Sequence, residues 1–168
     1  MTLSLAGIVA LGPAAIDMYL ASMPNMALDL QTSYASTQMT LTTFLIFMGL
    51  GQLIFGPLSD AIGRRIPLLL GLITYMLTSL WAAFSPSLES LMLARLMQGL
   101  GAAMMIVVVM SMVRDLVEGT EAAQLYALLN TIVALGPIIA PALGGFIGAH
   151  YGWRGIMLDS GTVWVSDK

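Results

Sequence analysis

Cysteine is absent from the 168 residues, and His150 is the single histidine. The first absence excludes disulfides and thiolate metal sites, and the second argues against a histidine-rich metal centre. Charge is the next shortage. Only 9% of residues are charged, against about a quarter in a soluble globular domain. Such a chain cannot cover its own surface in water. The formal net charge of −3 is too small to imply an acidic or basic partner, and no basic patch suggests nucleic acid.

What the chain has in quantity is apolar residues, 58% of the total, with a mean hydropathy of +0.91. They fall into five runs, roughly 3–23, 38–58, 66–84, 88–113 and 122–149. Each is near the ~20 residues that a helix needs to cross a bilayer. A closed barrel would show ~10-residue stretches of alternating polarity, and none occurs. The expected fold is therefore an all-α membrane protein of about five transmembrane helices. The first run is too long and lacks the basic flank of a signal peptide, so it is read as a span.

Short connections separate the runs. Pro24 and Asn25 are expected to stop the first helix, and Ser87 in "SPSLES" to cap the fourth. The connections after the second and fourth runs carry Arg64, Arg65 and Arg114, whereas those after the first and third carry none and the one after the fifth carries Arg154. The positive-inside rule then places the N-terminus in the cytoplasm. Past Trp153, "GIMLDSGTVWVSDK" is too short and too polar for a sixth span. This divides the chain into a helical bundle at 1–154 and a polar tail at 155–168, as expected of an interrupted chain.

Few charges lie near or within the runs. Asp60 follows the second run, where the negative end of a helix dipole repels a carboxylate, so it wants a cation or another helix's N-terminus. A plain turn closed by Gly63 is the alternative. Arg64 and Arg65 read equally as headgroup anchors. Arg95 stands about two turns into an apolar helix, with Gln98 one turn further on the same face. It must face a wet cavity or a partner, unless it snorkels to the outer interface. Asp17, the one carboxylate within the first run, faces the same choice between an internal and an interfacial setting.

Small residues complete the pattern. "QGLGAA" lets the fourth helix approach a neighbour closely. The fifth run brings Gly136, Pro137, Pro141, Gly144 and Gly145 together, which bends a helix and packs it tightly. No nucleophile–base pair or phosphate-binding loop stands out. The sequence reads as non-enzymatic, with no cofactor implied.

Taken in order, these stretches resemble the major facilitator superfamily. "GPLSDAIGRR" is similar to its signature G-x-L-x-D-x-x-G-R-R/K, at Gly56, Leu58, Asp60, Gly63, Arg64 and Arg65. "RLMQGLGAA" resembles R-x-x-Q-G-x-G-A-A at Arg95, Gln98, Gly99, Gly101, Ala102 and Ala103. "LGPIIAPALGG" resembles the fifth-helix antiporter motif, and "LGPAAIDMYLASMP" the first-helix motif of drug–proton antiporters. With "MVRDL" added, the set looks most like the bicyclomycin-resistance (Bcr/CflA) type. Ala61 and Ala21 depart from it, where relatives often carry Arg and Pro.

The resemblance implies multidrug efflux by proton antiport across a bacterial inner membrane. The partners are small apolar or cationic drug-like substrates, protons, the lipid bilayer and a C-terminal half bearing the remaining helices. Asp17, Arg95 and Gln98 become the coupling site. Asp60 would meet a helix N-terminus of the other half, and Arg64 would pair with Asp115, closing a cytoplasmic gate. Two other readings remain: a membrane scaffold associating through glycine-rich helices, and an inactive truncated transporter product.

Overall fold

The computed structural model describes residues 16, 17, 19, 20, 22–116, 127, 128, 130, 131, 134, 150 and 152–158, with side chains omitted at 113–116. All regular structure among them is α-helical. The first helix, α1, is helical at 16–17, 19–20 and 22–29; α2 is Tyr34–Ile62, α3 Arg65–Ala83 and α4 Leu88–Leu116. A further helical segment occupies 152–158. Helices α2, α3 and α4 are long and apolar enough to cross a membrane. Most of the fifth expected span, 122–149, lies outside the described residues, as does the start of the first.

Pro24 does not stop α1, which continues through Asn25 to residue 29. Pro24 is exposed while Met23 and Met26 are fully buried, so packing on the inner face carries the helix past the missing N–H. The stop comes at Gln31, whose φ of 50° is left-handed. Thr32 N–H donates to the Ala27 carbonyl at 2.9 Å and Gln31 N–H to that of Leu28 at 3.3 Å. This is a Schellman closure with glutamine where glycine is usual.

Helix α2 outruns its apolar stretch at both ends. Ser33 caps its start, its Oγ accepting from Ser36 N–H at 3.0 Å, and Gly63 ends it with φ +88°. Asp60 therefore sits in the last turn of α2 and not beyond it: hydropathy fades at Leu58, but the backbone bonds continue to Ile62. Ser87 caps α4 as expected, accepting from Ser90 N–H at 3.3 Å.

Helix α4 is the centre of the bundle. It packs along both α2 and α3, which scarcely touch one another. Glycines set how closely it approaches. A Cβ on Gly99 would lie 2.5 Å from the Phe44 carbonyl oxygen of α2, and one on Gly101 3.0 Å from that of Gly71 on α3. Backbone meets backbone on both flanks of α4, as small residues permit in membranes.

The 152–158 segment docks on the same core, with Trp153, Ile156 and Met157 buried. Packed structure thus extends beyond the boundary expected at 154. Trp153 Nε1 reaches back to Asp29 at the end of α1, so the end of α1 and the 152–158 segment share one end of the bundle.

These contacts make a prediction. Gly99→Ala and Gly101→Ala should each destabilise the purified chain in detergent by about 1–3 kcal/mol through overpacking. Gly49→Ala and Gly56→Ala should not, since nothing stands within 4 Å of a Cβ at either position. Equal midpoints of thermal unfolding for all four would contradict the close approach.

Candidate functional site

Arg95 is 5% exposed on α4, and three other elements close around it. Its guanidinium lies over the Tyr19 ring of α1, 3.8 Å from the centroid, and 5.7 Å from that of Phe44 on α2. Nη1 donates to Gln98 Oε1 at 3.0 Å, and Nη2 points at Met157 Sδ at 3.3 Å, a weak acceptor. Nε has no hydrogen-bond partner. No carboxylate pairs with Arg95 among the described residues. Within the described residues the cation is held by aromatic faces and one amide.

Gln98 is fully buried, and its amide is satisfied in both directions. Nε2 donates to Ser79 Oγ of α3 at 2.6 Å while Oε1 accepts from Arg95. Tyr19 is fixed in a similar way. Its hydroxyl meets Thr40 Oγ1, and Thr40 donates to the Thr37 carbonyl at 2.6 Å, which leaves the Thr40 oxygen free to accept the phenolic proton. Tyr19, Thr40 and Gln98 are all fully buried. One dry polar chain therefore runs from α2 through α1 and α4 to α3.

The structure brings Arg95 and Gln98 together but does not join Asp17 to them. Asp17 is half-buried on α1, two residues from Tyr19. Residues two apart on a helix do not share a face, so the ring that stacks on Arg95 and the Asp17 carboxylate point in different directions. Sequence reasoning missed Tyr19, Phe44, Ser79 and Met157. Tyr19 had a usable signal: it stands within the same first-helix motif as Asp17, and a buried tyrosine needs a partner for its hydroxyl.

At the other end of α2, Arg64 Nη1 donates to Asp60 Oδ1 at 2.6 Å and to Ser59 Oγ at 3.0 Å. Asp60 thus has its cation within the loop itself, one helical turn away. The bond ties the last turn of α2 to the first residues of α3 across Gly63, whose φ favours glycine. Arg65 opens α3, exposed. The Asp115 side chain lies outside the described residues, as do Gly136, Pro137, Pro141, Gly144 and Gly145.

A second polar cluster was not anticipated. Asp29 Oδ2 accepts from Trp153 Nε1 at 2.9 Å and from Arg154 Nη1 at 3.0 Å, and the Arg154 guanidinium stacks 4.7 Å from the Trp153 ring centroid. With Asn25 and Gly152 these residues line an open cleft of about 330 Å³. Its sequence signal was present: the loops after the first and fifth spans fall on one side, and one carries Asp29 while the other carries Arg154.

Residues 5–164 match the family model of the Major Facilitator Superfamily. The chain is 44% identical over 137 residues to the uncharacterized MFS-type transporter YdgK of Bacillus subtilis, covering 82% of this chain and 34% of that one. It is 39% identical over 142 residues to a chloramphenicol resistance protein of Pseudomonas aeruginosa, covering 84% and 34%. It is 34% identical over 158 residues to multidrug resistance protein D of Escherichia coli, covering 94% and 40%. The chain spans little more than a third of the length of these curated relatives. On this match, and on a helical bundle whose centre is a buried Arg–Gln pair, the chain belongs to the Major Facilitator Superfamily.

Proposed function

We propose that this chain forms part of a multi-pass secondary transporter of the bacterial inner membrane, exporting small apolar or cationic drug-like molecules in exchange for protons. Its N-terminus lies in the cytoplasm, and the remaining helices come from a C-terminal half such as its longer relatives possess. The observation that carries the reading is Arg95, a buried cation with no carboxylate partner among the described residues, at the junction of α1, α2 and α4. A fixed charge in a dry setting shifts the proton affinity of any acid that approaches it. Asp17 is the acid proposed for that role, loaded from one side of the membrane and unloaded to the other as the bundle rocks. Relatives named for multidrug and chloramphenicol resistance support the substrate class.

The cytoplasmic loop acts as the gate in this reading. Asp60, Arg64 and Asp115 close it in one state and part in the other, and a bias of ~1–3 kcal/mol suffices to tilt such an equilibrium. Gly136, Pro137, Pro141, Gly144 and Gly145 give the fifth helix the bend that rocking requires.

A chimera of residues 1–158 with the remainder of multidrug resistance protein D tests the proposal in proteoliposomes. Drug accumulation should follow an imposed proton gradient and vanish in Arg95→Ala, with expression near that of the parent. Gradient-independent binding by a well-folded chimera, with Arg95→Ala unchanged, would favour a non-transporting membrane scaffold. In the same chimera Asp60→Asn and Arg64→Ala should each lower the transport rate severalfold. A charge swap of Arg64 and Asp115 should recover part of that loss if the two pair. No recovery would reduce Arg64 to an anchor for its loop.

A further inference from the structure

Arg95 is the best-buried cation described in this chain, yet what surrounds it is mostly aromatic and apolar. Hydrogen bonds alone do not fix it. Gln98 takes one Nη1 proton, Met157 offers a weak sulfur to Nη2, and Nε finds nothing. A guanidinium so lightly bonded can tilt about the end of its long side chain unless a surface restrains its plane. The Tyr19 ring is that surface, 3.8 Å from ring centroid to guanidinium carbon, whereas Phe44 at 5.7 Å is near the limit of useful attraction.

Tyr19 is itself anchored. Its hydroxyl is held by Thr40, and Thr40 is held by the Thr37 carbonyl one turn back on α2. The side chain is fully buried, so its hydroxyl has no water to turn towards. A phenylalanine would offer the same π-face without the tether, and a leucine would offer neither. The choice of tyrosine is thus explained by two separate contacts: the ring faces α4, and the hydroxyl locks α1 to α2.

We infer that Tyr19 is the positioning residue for the Arg95 charge, its ring holding the guanidinium plane and its Thr40 tether fixing the ring. For transport the inference rests on the coupling role proposed above for Arg95. As a statement about where the charge is held, it stands without that role. Tyr19 is the member of α1 through which movement of that helix reaches the cation on α4. Displacing α1 relative to α2 pulls the ring, and the guanidinium must follow or lose its surface.

A double-mutant cycle on the purified chain in detergent tests the placement without any transport assay. Tyr19→Leu should lower the thermal midpoint by about 5 °C more with Arg95 present than in an Arg95→Met background, as a desolvated cation–π contact implies. Tyr19→Phe should restore at least half of that difference, because the ring is kept. Thr40→Val, which leaves the buried phenol unpaired, should cost more than Tyr19→Phe, and the extra cost should vanish in a Tyr19→Phe background. Equal losses for Tyr19→Leu in both backgrounds would show simple packing and overturn the inference, as would Tyr19→Phe behaving like Tyr19→Leu.

The second arm uses the chimera and keeps the test open if Arg95→Met fails to fold. Tyr19→Leu should displace the external pH of half-maximal export in the direction that Arg95→Lys does, by at least half a unit, while Tyr19→Phe stays nearer the parent. An unmoved pH profile in Tyr19→Leu contradicts the positioning role. A chimera that exports nothing counts against the transport reading alone, and the thermal cycle then decides the placement by itself.

Discussion

Placing a guanidinium within an apolar helix costs at least ~2.5–3.5 kcal/mol on insertion scales. The arrangement of this bundle follows from how that cost is offset at Arg95. A carboxylate partner would do it, but would also cancel the charge. Among the described residues a stacked phenol ring and a buried amide do it instead, each worth about 2 kcal/mol when buried, and the charge survives. The solution makes demands on the whole fold. The ring must come from α1, its tether from α2, and the group that orients the amide from α3. All three helices must therefore meet α4 at one level, and Gly99 and Gly101 let α2 and α3 come near enough.

Seen this way, the run Arg95, Gln98, Gly99 and Gly101 has a physical unity. The first two residues provide the polar pair. The glycines bring the flanking backbones close, so that water is excluded from around it. Phe44 takes part in both: its ring is the more distant π-face over Arg95, and its carbonyl is the group that Gly99 almost touches. A cation in a dry, tightly packed place exerts its field with little screening, which is the property a coupling charge needs. At the Asp60–Arg64 end of α2 the chemistry differs. Asp60 and Arg64 are partly exposed, and such a pair contributes little to stability. It is well suited to breaking and re-forming.

Much of this was legible beforehand. Hydropathy located α2, α3 and α4, because a lipid-facing helix must be apolar around most of its circumference. Arg95 and Gln98 were singled out by spacing alone, and their hydrogen bond follows from three-residue separation on a helix. Helix ends were less legible. Pro24 reads as a stop, but burial of Met23 and Met26 outweighs it, and Asp60 belongs to a turn that hydropathy does not mark. Least visible were the long-range partners. Nothing local in the sequence says that Tyr19 stacks on Arg95, or that Met157, in a stretch read as a polar tail, lies against the same cation. Those contacts depend on how helices are arranged about α4, and polarity along a chain does not encode that order.

The central claim is that Arg95 is a cation locked in a buried aromatic cage. Side-chain nitrogen NMR of the chain in micelles, with arginine labelled, tests it most directly. The chain has no cysteine and few arginines, so Arg95→Lys identifies the resonance by its loss. One guanidinium group should show slow proton exchange and upfield ring-current shifts, both relaxed by Tyr19→Leu. Arginine side chains that all exchange at solvent rates, with none shifted by a neighbouring ring, would contradict the account.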